Sequence, residues 1–113
     1  MLPAVTPIDR AFTALSHPVR RNIIERLLEG ELTVGEIARP YGLRNPTISR
    51  HLKVLKEAQL IVSTVDGRQH RCRINPNGIN ELQSWLKRYE KFWTGQFDAL
   101  QRFVETRPVA DRS

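Results

Sequence analysis

The 113-residue sequence is poor in the residues on which most catalytic and metal chemistry depends. A single cysteine, Cys72, excludes any intrachain disulfide and any multi-thiolate zinc site. The histidines at 17, 51 and 70 are scattered, and none follows His70. No Ser/His/Asp set, paired carboxylates or phosphate-cradling glycine loop can be picked out, which argues against an enzyme. No apolar run approaches the ~20 residues of a membrane helix, and the chain opens without a charged, apolar leader. These shortages predict a cytoplasmic protein with no membrane span, no cofactor and no metal site.

What is present is enough chain for one folded domain, with an ordinary 40% of hydrophobic and 27% of charged residues. The charge is unevenly spread. Between Arg44 and Arg73 seven basic residues face two acidic ones, which accounts for five of the six net positive charges. A basic excess confined to one segment is the footprint of a phosphate-binding surface.

At the centre of that segment lies Asn45 to Gln59. Asn45 suits an N-cap and Pro46 the first helical position, where its missing donor costs nothing. At helical spacing Ile48, Leu52 and Leu55 share one face. Arg50 and Lys53 lie opposite, flanked by Thr47, Ser49 and Lys56. One side packs; the other is directed at a polyanion.

Upstream, Met1 to Pro7 reads as a flexible arm. A short helix is expected over Ile8 to Leu15, with Ile8, Ala11, Phe12 and Leu15 on one stripe. His17 begins the next helix, Pro18 to Glu29, which Gly30 stops. After a brief extended stretch at Glu31 to Thr33, Thr33 and Glu36 have capping-box spacing for a helix from Val34 to Arg39, broken at Pro40. Two short helices joined by a turn containing Gly42, the second of them basic, form a helix-turn-helix pattern.

Downstream, Leu60 to Val65 is β-branched, Asp66-Gly67 is a hairpin signal, and Arg68 to Ile74 returns. Alternation puts Arg71 and Arg73 on one face and His70, Cys72 and Ile74 on the other, with His70 and Cys72 read as covering the core. Such a ribbon after a basic helix is a wing, with Arg68 at its tip.

Leu15-Ser16-His17-Pro18-Val19-Arg20-Arg21, Leu32 to Ala38, Thr47 to Leu55 and Gly67-Arg68 together resemble the ArsR family of bacterial winged-helix repressors, from about Ala11 to Leu100. The resemblance implies a mainly α fold with a small β-hairpin, a winged helix-turn-helix of order α-α-α-α-β-β-α. It also implies a homodimer through the first and last helices, bound to double-stranded DNA at an operator of imperfect two-fold symmetry. Asn45, Thr47, Ser49 and Arg50 would then face base edges. Arg44, Lys53, Lys56, Arg68, Arg71 and Arg73 would hold phosphates. Geometry independently favours Arg50 as the residue in those first turns able to make a bidentate contact with guanine, whereas Lys53 and Lys56 lie further along the helix. His51 falls toward the packing side.

Many members of that family sense metals through cysteines in the third helix or histidines in the last, and this sequence has neither. It is therefore read as belonging to the metal-independent branch. A thiol switch at Cys72 has no support in the sequence.

Asn75 to Glu105 repeats the cap-then-proline pattern and holds six of the eight aromatic residues. One apolar stripe runs Ile79, Leu82, Leu86, Tyr89, Trp93, Phe97, Leu100 and Val104; a second runs Trp85, Phe92, Ala99 and Phe103. One stripe serves the helix's own domain and the other needs a partner subunit. Phe12, Leu82, Trp85, Tyr89, Phe92, Trp93 and Phe103 are the interface candidates. Thr94-Gly95 is a place for a bend. Residues 8–75 thus form the DNA-binding domain, 76–105 a dimerisation helix of the same domain, and 106–113 a tail. Two alternatives stay open: a regulator of the same fold answering to a thiol change or to a small molecule held by the Trp85, Tyr89, Phe92 and Trp93 rings, or a winged-helix module for protein or RNA.

Overall fold

The computed structural model describes residues 4–42 and 46–106, apart from the side chains of Lys91, Trp93, Thr94 and Phe97. The chain forms two compact units that divide within its last helix, residues up to Leu82 and residues from Gln83 onward.

Helix α1 spans Pro7–Leu15. It takes in Pro7 because Thr6 caps it: Thr6 Oγ1 accepts the Asp9 N–H at 3.4 Å, and the Asp9 carboxylate accepts the Thr6 N–H at 2.7 Å. Its buried residues are Ala11 and Ala14. Phe12, on the same stripe as Ala11 and a candidate for the subunit interface, is 40% exposed. Helix α2, Pro18–Leu28, starts at His17, whose Nδ1 accepts the Val19 N–H at 3.1 Å. Ile23, Ile24 and Leu27 are its buried face.

Three arginines on α2 fasten its neighbours. Arg20 donates from Nε to the Ala14 carbonyl at 2.6 Å and from Nη2 to that of Thr13 at 3.0 Å, while Arg21 reaches the Leu15 carbonyl at 2.7 Å. Arg26 donates to the carbonyls of Ile37 and Glu36 at 2.9 and 2.7 Å. Carbonyls in the last turn of a helix lack intrahelical donors, so these guanidiniums satisfy the ends of α1 and of the helix that follows strand β1.

Strand β1 is short, Leu32–Thr33, and leads directly into α3, Val34–Ala38. Thr33 and Glu36 close the expected capping box, with bonds of 3.1 and 2.9 Å. The helix stops one residue before the expected Arg39, and Arg39–Tyr41 tightens into a 3-10 turn before Gly42 at φ 96°. Helix α4 spans Pro46–Glu57, followed by β2 (Ile61–Asp66) and β3 (Gln69–Ile74).

The sheet has three antiparallel strands in the order β1-β3-β2, where the sequence led us to expect a two-stranded ribbon. Leu32 pairs with Cys72 and Thr33 with Arg71, so β3 has a neighbour on both edges at its base. That is why Cys72 is among the fully buried side chains, together with Ile23, Ile37, Leu55, Leu60 and Ile61. Burying an aliphatic side chain of this size contributes roughly 1.5–3 kcal/mol.

Helix α5 runs Pro76–Thr106 without a break at Gly95. Asn75 Oδ1 accepts the Asn77 N–H at 3.2 Å, the expected cap. Ile79 and Leu82 pack on the core. Among the described residues no helix is long and apolar enough to cross a membrane.

Candidate nucleic-acid interface

Helix α4 carries the basic stretch, and its orientation follows from its apolar period. Ile48, Leu52 and Leu55 are buried as expected, and His51 joins them at 6% exposure. Thr47, Ser49, Arg50, Lys53 and Lys56 are all exposed. Two of the sequence candidates, Arg44 and Asn45, lie outside the described residues, as does the side chain of Trp93.

The C-terminal end of α4 is closed by a Schellman motif. The Leu60 N–H bonds the Leu55 carbonyl at 3.1 Å, the Gln59 N–H bonds that of Lys56 at 3.0 Å, and Gln59 takes the left-handed φ of 63°. The apolar contact that accompanies such a cap is available from Leu55 and Leu60, both fully buried. Ahead of α4, the Tyr41 hydroxyl donates to Asn22 Oδ1, which ties the turn to α2. The helix is thus held along its inner face and at its end by the same core.

His51 is the buried polar residue of this arrangement. Its Nδ1 lies 3.2 Å from Arg20 Nη1, and its ring centroid lies 4.4 Å from that of His17. The histidines that read as scattered along the chain are therefore two neighbours and one outlier. Burial is the main cause that lowers the His51 pKa, with His17 and Arg20 adding to it. Nothing in local spacing announces this pair, because it depends on how α2 crosses α4.

In the wing, Ile61 pairs with Ile74 and Asp66 with Gln69, which leaves Gly67-Arg68 as a two-residue loop. Gly67 has φ 64° and Arg68 has no positive φ, the pattern of a type II′ turn with glycine first. Arg68 and Arg73 are exposed. Arg71 differs: it lies 3.4 Å from the Glu31 carboxylate and 3.8 Å from that of Asp66, and it also meets Gln69. His70, expected on the core face with Cys72, is exposed, because the hairpin beyond Thr64 and Arg71 extends past the packed part of the sheet. Cys72 itself is buried, and burial pushes its thiol up against the smaller downward pulls of Ser63 and Lys56. A thiol held that way is a poor nucleophile and a poor ligand. Among the described residues no three of His, Cys, Asp and Glu are grouped to hold a metal ion.

The last helix presents Leu86, Tyr89, Phe92, Leu100, Phe103 and Val104 to solvent, with Phe103 61% exposed. Trp85 is half-buried and its ring lies 4.8 Å from that of Tyr89.

Comparison with known proteins agrees with this architecture. A family profile described as a helix-turn-helix domain matches residues 15–64. The HTH-type transcriptional regulator Rv2034 of Mycobacterium tuberculosis is 38% identical over 87% of this chain and 89% of its own. The transcriptional repressor SdpR of Bacillus subtilis is 32% identical over 70% and 88%. A crystal structure of an ArsR family transcriptional regulator superposes with TM-score 0.71 at 28% identity, covering 83% of this chain and 97% of that one. A homodimeric winged helix-turn-helix DNA-binding domain from Mycobacterium bovis does so with TM-score 0.60 at 26% identity, covering 75% and 79%. The chain belongs to the ArsR family of winged helix-turn-helix transcriptional regulators, DNA-binding proteins and not enzymes.

Proposed function

We propose that this protein is a cytoplasmic homodimeric repressor that occludes an operator of imperfect two-fold symmetry, with one α4 in each of two successive major grooves. The observation that carries the reading is the two-sidedness of α4. Its inner face is committed to the core, while Thr47, Ser49, Arg50, Lys53 and Lys56 stand exposed on the other. The first turns of such a helix reach deepest, so Thr47, Ser49 and Arg50, with Asn45 just before them, are assigned to base edges. Lys53, Lys56 and Arg44 are assigned to phosphate, as are Arg68 and Arg73 of the wing. The carboxylates around Arg71 give it a smaller share.

Dimerisation through α5 is supported by the large apolar side chains that this helix exposes and by the homodimeric relative. A metal-independent regulator is supported by the buried Cys72 thiol and by the hydrogen bonds that already engage His17 and His51.

The test is a gel shift with the DNA upstream of its own gene against random duplex. Specific binding that weakens steeply with salt is expected. Arg50→Ala should lose roughly 1–3 kcal/mol and relax base preference, whereas Lys53→Ala should weaken all sequences about equally. Identical behaviour of the two variants would refute this division of roles. A failure to prefer any duplex over random DNA would instead favour a protein- or RNA-binding module.

A further inference from the structure

We propose that Arg20, His51 and His17 form a proton-sensitive joint that positions α4, so that DNA affinity falls on mild acidification. The proposal rests on the DNA-binding reading above and adds to it a positioning role for residues that touch no DNA. One guanidinium links three helices here: Arg20 belongs to α2, holds the Thr13 and Ala14 carbonyls of α1, and meets His51 of α4.

The protonation states follow from what each partner can do. A guanidinium can only donate, so His51 Nδ1 must accept, and the neutral ring carries its proton on Nε2. A backbone N–H can only donate, so His17 Nδ1 must also accept, from Val19. Protonating either Nδ1 replaces a hydrogen bond by two donors facing each other. At His51 it also sets a second positive charge beside Arg20; at His17 it removes the cap of α2. The His17 ring lies 4.4 Å from that of His51 and adds to what holds His51 neutral.

Among the described residues, no carboxylate offsets this. The charged groups acting on His51 are His17 and Arg20. On α1, Asp9 is committed to the Thr6 cap, and Arg10 lines a separate cavity with Glu57 of α4. On β2, Asp66 lies beside Arg71. Burial, with its two basic neighbours, already keeps His51 below the ordinary value of 6.5. Folded His51 therefore binds fewer protons than His51 in the open chain. Its contribution is whole above 6.5 and is lost as pH falls through the lower folded value.

The sign is unusual for a basic DNA-binding surface, where added protons ordinarily strengthen attraction to phosphate. His70 stands exposed on the wing, so the measurement is made in a His70→Gln background, which leaves only His17 and His51 in question. Fluorescence anisotropy on a duplex from upstream of the gene, at constant ionic strength, compares affinity at about pH 7.5 and about pH 5.5. His17→Asn combined with His51→Asn serves as the non-titrating control, since asparagine Oδ1 accepts in the position of Nδ1 and asparagine caps helices well.

The parent protein should lose roughly three- to ten-fold more affinity on acidification than the double variant. Equal losses, or tighter binding in acid, would overturn the joint. If the double variant does not fold, ring and amide NMR of the parent protein decides: His51 should titrate below 6.5, with the α4 amides following at the same midpoint. Titration at the ordinary value with silent α4 amides would overturn the proposal. Absence of duplex binding at about pH 7.5 would count against the DNA-binding reading, and the ring titration would still decide the joint.

Discussion

Gln59 and Gly78 show how two residues fix the end of α4 from both sides. A left-handed conformation costs a non-glycine residue roughly 1–2 kcal/mol, and Gln59 adopts it to close the Schellman motif. Gly78, buried in the first turn of α5, lies directly against it. A Cβ there would sit 1.7 Å from the Gln59 carbonyl oxygen and 2.6 Å from its carbonyl carbon. Those are backbone atoms, so no side-chain rotation relieves the clash. Gly78→Ala should destabilise the domain by about 2–4 kcal/mol in urea unfolding, and a change below about 0.5 kcal/mol would show that the contact yields freely. In sequence Gly78 is only a weak residue near a helix start. Its reason for being glycine lies in a loop far away in the chain, which no local pattern carries.

At the level of elements, the helix-turn-helix was legible because caps and periods are local. Thr33 with Glu36, Asn75 before Pro76 and His17 before Pro18 act as their spacing predicts. The wing was legible in its turn and its strands but not in the use of its arginines. Arg68, Arg71 and Arg73 look alike in the sequence, yet Glu31 and Asp66 draw in Arg71 alone. A guanidinium already facing two carboxylates gives up more on reaching for phosphate than one in water. Arg68→Ala and Arg73→Ala should therefore each lower the slope of log affinity against log salt by about one, and Arg71→Ala by clearly less. Equal slopes for all three would mean that these carboxylates release Arg71 on binding. Likewise, the basic residues of α2 read as surface charge, but Arg20, Arg21 and Arg26 are spent on the carbonyl ends of other helices.

For the whole molecule, the expected partner surface is the apolar side of α5. Tyr89 and Phe92 are 44% and 57% exposed, and Leu86, Leu100, Phe103 and Val104 of the same helix are exposed as well. Phe92→Glu with Tyr89→Glu should leave the winged domain folded by circular dichroism, because neither residue is among those that pack on the core. It should shift sedimentation from dimer to monomer. Operator affinity should then fall by about 10- to 100-fold or more, as the second half-site no longer adds its effective concentration. A dimer that persists in that variant would place the subunit contact elsewhere.

The sequence by itself determined which segments are helix and strand, which face of α4 is apolar, and that positive charge gathers between Arg44 and Arg73. Those follow from period, capping and composition, each read within a few residues. Tertiary structure alone decided that β1 completes the sheet, that His17 meets His51 across Arg20, and that Arg71 differs from its neighbours. Each of these joins groups distant in the chain. Hydrogen bonds and ion pairs act over a few ångströms, so their partners are chosen by how the elements pack and not by their order.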